Sequence, residues 1–285
     1  MATSTSGLSV AEVSVPSGGL THQARAAAVV WQREMIRFSR DRARMLSSLA
    51  QPLLFLFVLG TGLSSLVSAR SGDVDFRTFL FPGVLATSVM FTAVFSAISI
   101  VWDRELGFLR EMLVAPISRT SIVFGKCLGG ATVATLQAVV LLSLAGLVGV
   151  PYSLPMIVGA IGLLFLIAFS ITAFGLLIAV RVQQIQTVMP RVQLLLTPLM
   201  FLSGAFFPVS GSLPGWLHAL TLANPLTYGV DALRRLVLHS SGIPTAETSL
   251  HWGDTVVPIW VDVTVVVGTG GLLLALAAWL FSRTD

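Results

Sequence analysis

The chain has 285 residues, 55% of them hydrophobic and 11% charged, with a net charge of +4 and a mean hydropathy of +0.89. A soluble domain averages about 25% charged residues, so this composition excludes one. The one cysteine, Cys127, excludes an internal disulfide and a cysteine-bound metal, and the four histidines lack ligand spacing.

Residues 1–23 open with MATSTSGLSVAEVSVPSGGL, which has neither a basic start nor an apolar centre. A disordered tail is expected there, not a signal peptide. An amphipathic helix is expected over residues 24–49. Trp31, Met35, Phe38 and Met45 share one face, and Arg33, Arg37, Arg40 and Arg44 lie opposite. Such a helix lies flat on an anionic membrane surface, with Arg42 the one misfit on its apolar side.

Six apolar runs follow: Pro52–Ala69, Thr78–Val101, Ile122–Val150, Leu154–Val180, Val188–Phe207 and Val256–Phe281. A span needs roughly 20 apolar residues to cross the hydrocarbon core, and backbone groups in lipid must be satisfied within each helix. The expected fold is therefore an all-α integral membrane protein with six spans. Six crossings put both termini on one side. If that side is the cytoplasm, 13 of the 17 basic residues face it, leaving Arg70, Arg77, Arg234 and Arg235 outside. The positive-inside rule then places both ends in the cytoplasm. Sixteen of the 17 basic residues are arginine, which suits a GC-rich bacterial source and hence a bacterial plasma membrane.

Between the second and third runs, residues 102–118, the stretch WDRELGFLREML gathers Asp103, Arg104, Glu105, Arg110 and Glu111. Trp102, Leu106, Leu109 and Leu113 recur at helical spacing, so one short helix with an apolar stripe is expected. Pro116 stops it, and Ser118 can cap the next helix. Two readings fit: a solvated, salt-bridged turn, or a docking surface. Between the fifth and sixth runs, residues 208–240 are too apolar for a soluble domain. Leu213–Leu222 and Pro225–Leu238 read as short helices, with Asn224 as N-cap and Pro225 in first position. The fifth run is expected to dip back into the membrane before the chain emerges. Asp231 and Arg234 are expected to form a local ion pair.

RELGFLREMLVAPISRTSIVFGK, Arg104 to Lys126, resembles the loop between spans two and three of ABC-2 type permeases. FPVSGSLPGWLHALTLANPLTYGVDALRR, Phe207 to Arg235, resembles that family's second hallmark, through Pro225, Leu226, Tyr228 and Arg234. Within that family the chain looks like the daunorubicin-resistance and nodulation-exporter permeases. The resemblance covers residues 24–285 and implies the membrane half of a type V ABC exporter. Two permease subunits, identical or paralogous, would pair around a pathway and dock on two ATP-binding subunits. Asp103 to Leu113 would be the coupling helix, with Asp103, Arg104, Glu105, Leu106, Leu109, Arg110, Glu111 and Leu113 meeting the ATPase. Residues 24–45 would be the connecting helix and Leu213–Leu238 a re-entrant external element. The substrate pathway would run past Phe91, Phe95, Met200, Phe201, Phe206 and Phe207. Aromatic and methionine surfaces suit a hydrophobic or amphipathic drug, antibiotic or lipid. A polysaccharide or lipid-linked glycan is the alternative cargo.

The chain itself offers no ATPase site. FGKCLGG, Phe124–Gly130, has a Gly-Lys pair without the upstream glycine or following hydroxyl of a phosphate-binding loop. ATP and magnesium would sit on the partner, leaving this chain without cofactor, metal or catalytic residue, and without a nucleic-acid partner. An ion-coupled transporter is disfavoured because the span centres carry no ionisable residue. A membrane enzyme is disfavoured because Ser203 and His218 lack an orienting carboxylate.

Overall fold

The computed structural model describes residues 19–62, 76–114, 117–207, 209, 214–243, 249–252 and 255–283. The tail over residues 1–18 and the end of the first apolar run, Leu63–Ala69, lie outside these described residues.

Helix α1 spans Leu20–Arg40, and α2 spans Arg42–Leu54 with a π-helical continuation over Phe55–Leu59. Next come α3 (Phe76–Ala97), α4 (Ser99–Glu105) and α5 (Phe108–Val114). Helix α6 (Arg119–Leu142) leads through a 3-10 turn at Ala145–Val148 to α7 (Leu154–Ala179). The rest is α8 (Ile185–Phe201), α9 (Gly215–Ala223), α10 (Pro225–Ser240), a ribbon of β1 (His251–Trp252) antiparallel to β2 (Thr255–Val256), and α11 (Ile259–Arg283).

Helix starts follow local chemistry. Ser118 Oγ accepts from the Ser121 amide at 3.1 Å to open α6, and Asn224 Oδ1 accepts from the Leu226 amide at 3.0 Å to open α10. Both caps were expected from the sequence.

Among the described residues, five helices are long and apolar enough to cross a membrane. The Phe76–Glu105 and Arg119–Leu142 spans are 78% and 72% buried within the protein, against 17% for Met45–Gly62 and Ile259–Arg283. Spans two and three therefore form the centre, and the first and last face outward. A helix apolar all round belongs in such a centre. The fifth run of the sequence is α8, which has 17 residues and ends at Phe201 instead of continuing to Phe207. At about 25 Å it falls short of the ~30 Å hydrocarbon core.

Two expected helices differ in form. Helix α1 begins before residue 24 and stops at Asp41, so 24–49 is not one rod. It buries Ala26, Ala27, Val30 and Glu34, while Trp31 stays 37% exposed. The reason lies in α6. A Cβ at Gly125 would stand 2.6 Å from the Ala27 carbonyl oxygen, and one at Gly129 would stand 2.8 Å from Glu34 Cβ. Two glycines one turn apart give α6 a flat strip, and close backbone approach drives helix association in lipid. The second case is residues 102–113, where the chain turns at Leu106–Gly107. Gly107 has φ +83°, a left-handed conformation that glycine adopts at no steric cost. The stripe of Trp102, Leu106, Leu109 and Leu113 therefore never forms on one helix.

Candidate functional sites at the two ends of the bundle

The first site is the corner between α4 and α5. Its anchor is Lys126, the only lysine in the chain, 3% exposed about two turns into α6. A buried ammonium without a partner is strongly destabilising. Here Lys126 Nζ lies 2.8 Å from Glu34 Oε1 and 2.6 Å from Asp103 Oδ2, and donates to Ser99 Oγ at 3.0 Å. The other Asp103 oxygen takes Arg33 Nη2 at 2.7 Å, with Arg37 Nη1 at 3.8 Å. Arg33 also lies 5.5 Å from the centroid of the Phe108 ring and donates to Met112 Sδ at 3.4 Å. One network thus ties α1, α4, α5 and α6 together.

This corrects the expected contact surface. Asp103 is 2% exposed and spent on the network, and Leu109 is 4% exposed. Both point into the protein. Arg104 donates to the carbonyls of Val180 and Val182, while Glu105 accepts from the Ile185 amide at 3.3 Å. The α7–α8 turn is therefore fastened to the same corner. What remains outward is Trp102, Leu106 at 61% exposure, Phe108, Val114, Glu105 and Glu111. The side chains of Arg110 and Leu113 lie outside the described residues.

The second site is the break after α8. Pro198 precedes it, and Gly204 adopts φ +67° within the turn. Carbonyls freed by a broken helix need donors at this depth. Helix α10 and its cap supply them. Asn224 Nδ2 donates to Leu199 O at 2.7 Å, Thr227 Oγ1 to Leu202 O at 3.2 Å, and Arg234 Nη2 to Gly204 O at 2.6 Å. Arg234 is 2% exposed, its guanidinium 4.3 Å from the centroid of the Phe79 ring. The turn sits tightly on α3, where a Cβ at Gly83 would meet the Ala205 carbonyl oxygen at 2.0 Å.

The family-motif residues fall into place around this break. Pro225 begins α10, Leu226 is buried, and the Tyr228 hydroxyl donates to Leu222 O at 2.9 Å. Asp231 does not pair with Arg234 as expected. It pairs with Arg235 one turn on and accepts from the Leu250 amide at 3.0 Å, while Asp262 Oδ2 lies 3.9 Å from Arg235.

The six residues expected along a pathway do not form one surface. Phe201 and Phe206 meet at 6.2 Å, joined by Phe55 at 5.5 Å from Phe206. Met200 is buried, and Phe207 is half-buried. Phe91 and Phe95 stand apart, beside a cavity under α1. Glu34 and Lys126 were missed as partners. The signal was a lone lysine set between two glycines inside an apolar run.

The profile of the ABC-2 type transporter family matches residues 25–238, spanning both sites. The chain belongs to that family. It is 30% identical over 258 residues to nodulation protein J of Rhizobium leguminosarum bv. viciae, covering 90% of this chain and 95% of the relative. It is 30% identical over 219 residues to a putative transport permease, ycf38, of Cyanophora paradoxa, covering 75% and 74%. A probable multidrug ABC transporter permease, YbhR of Escherichia coli, is 28% identical over 184 residues, covering 62% of this chain and 48% of that one. The chain is thus a multi-pass membrane permease, of a family that implies an ATP-binding partner subunit.

Proposed function

We propose that this chain is the membrane subunit of an ATP-driven exporter for a hydrophobic or amphipathic compound. Two ATP-binding subunits power it, and a second permease subunit completes the pathway. The observation that carries the reading is the α4–α5 corner. It presents an exposed apolar and acidic patch, Glu105, Leu106, Phe108 and Glu111, on a buried ionic brace that reaches α1 and α6. A partner pushing on the patch moves α1 and α6 together with the corner, because the brace ties all four helices. Helix α8 and the turn after it together make the fifth of six crossings, which puts both termini and the corner in the cytoplasm. On that side the excess of arginine meets anionic lipid. Phe55, Phe201 and Phe206 face the pathway near its outer end.

The patch is tested by Leu106→Asp combined with Phe108→Asp. Both side chains are exposed in the isolated chain, so the variant is expected to insert and fold as wild type. Co-purification of the ATP-binding subunit and export are expected to be lost, since the change buries unpaired charge in the contact. Undiminished co-purification would remove the docking assignment.

A further inference from the structure

Arg104 and Glu105 end α4, and neither belongs to the Lys126 network. Consecutive side chains on a helix diverge by about 100°, so such a pair can reach two elements at once. Arg104 Nη2 donates to Val180 O at 2.8 Å, and its Nη1 donates to Val182 O. Glu105 Oε2 accepts from the Ile185 amide at 3.3 Å. The two carbonyls follow the last residue of α7, and the amide opens α8.

A helix leaves its last carbonyls and its first amides unmet, with negative partial charge at one end and positive at the other. The guanidinium therefore meets the C-terminal end of α7, and the carboxylate meets the N-terminal end of α8. The signs match at both. Gln184, the N-cap of α8, makes no side-chain cap bond of its own. Glu105 takes that part from another helix. Arg181, Gln183 and Gln184 in the turn between are exposed, so burial does little to hold it.

Helix α8 has little else to fix it. It buries Val188, Val192, Leu196 and Met200, one line at every fourth residue, while Leu194 is 74% and Phe201 54% exposed. Pro190 and Pro198 each remove an amide, so the helix can bend between its ends. At the outer end, Asn224, Thr227 and Arg234 hold the carbonyls of Leu199, Leu202 and Gly204. A helix gripped at both ends and lightly packed between them goes where its ends are taken.

We propose that Arg104 is a positioning residue for transport: with Glu105 it fastens the α4–α5 corner to α8, so that movement of the corner reaches the outer break. The brace to α1 and α6 and the hold on α8 are separate sets of bonds, so one can be cut while the other stands. The inference rests on the export reading above for what the movement accomplishes, and deepens it by naming the helix that carries it.

The test uses the full-length permease with its ATP-binding subunit in nanodiscs. Amide hydrogen exchange is compared without nucleotide and after trapping with ATP and vanadate. In the wild type, trapping is expected to change exchange in Phe108–Val114 and in the turn over Leu202–Phe207. In Arg104→Gln the ATP-binding subunit should still co-purify and hydrolyse ATP, and Phe108–Val114 should still respond. The Ile185 amide should exchange roughly threefold to tenfold faster, the effect of about one lost hydrogen bond. The response at Leu202–Phe207 and export should both be lost. Arg104→Lys keeps the cation and can meet one carbonyl, so it should restore part of each. A purely structural role would not separate the two responses in this way.

Ile185→Pro cuts the hold from the other side, deleting the amide that Glu105 meets and leaving Arg104 in place. Proline suits a first helical position, and Gln184 before it already has the extended backbone that proline requires, φ −123° and ψ 137°. A partial loss of the outer response is expected. A full outer response in Arg104→Gln, or in Ile185→Pro where Arg104→Gln does not assemble, would overturn the inference, as would its absence from the wild type. Loss of both responses in Arg104→Gln would overturn it too, by making Arg104 part of the corner's own fold. An outer response lost as expected, in a complex whose wild type moves no hydrophobic compound, would uphold the link and sink the export reading. Export of such a compound by Arg104→Gln at the wild-type rate would do the reverse.

Discussion

The α4–α5 corner and the α8–α10 end both bury a cation, and they use it differently. At the corner, Lys126 meets two carboxylates from two other helices, so charge answers charge across the bundle. At the other end, Arg234 meets a backbone carbonyl and a ring, so charge answers a broken helix. The first arrangement ties separate elements into one body. The second lets one element bend without leaving its backbone unmet. Under the proposed export reading, the stiff end is where force enters and the irregular end is where a gate lies.

The comparison breaks most readily at Lys126. Lys126→Met leaves Glu34 buried and unpaired, with Asp103 held by Arg33 and, more distantly, Arg37, a loss of about 3–5 kcal/mol. The folded yield in detergent and the melting temperature should both fall sharply. Adding Glu34→Gln should restore much of it, since it removes the uncompensated charge and leaves Asp103 paired with Arg33. A wild-type melting curve for Lys126→Met would show that charge does not hold the corner.

A smaller and more local effect is expected at the other end. Arg234→Leu leaves the Gly204 carbonyl without its donor, at about 1–3 kcal/mol, and strips the cation from the Phe79 ring. The turn over Leu202–Phe207 should loosen while the corner stays intact. A cysteine placed at Phe206 should then react faster with a water-soluble maleimide, with no change in recovery of the ATP-binding subunit. An unchanged labelling rate would mean that α3 alone, through the close approach at Gly83, holds the turn.

The mildest change is Asn224→Ala. It removes the α10 cap, worth about 1 kcal/mol, and one donor to Leu199 O. Faster hydrogen exchange is expected at the Leu226 amide and not at the Ser121 amide, which keeps its own cap. Equal change at both would show that the two ends are not independent.

Much of this architecture could be read along the chain. Apolar length marks the spans, because a backbone in lipid must close its own hydrogen bonds within each segment. Ser118, Asn224 and Pro225 mark helix starts, because a cap meets amides only two or three residues away. Such properties are local, and sequence determines them. The partner of a charge is not local. Glu34 reads as one more polar residue on a basic helix, yet it meets Lys126 across 92 positions, on a strip that only Gly125 and Gly129 leave open. Leu109 has the spacing of an exposed seam and turns inward because Gly107 breaks the helix before it. The fifth run is apolar through Phe207, but the helix ends at Phe201, where Asn224, Thr227 and Arg234 offer its carbonyls better company than another turn would. Burial and pairing are settled by which surfaces meet, and only the packed structure decides that.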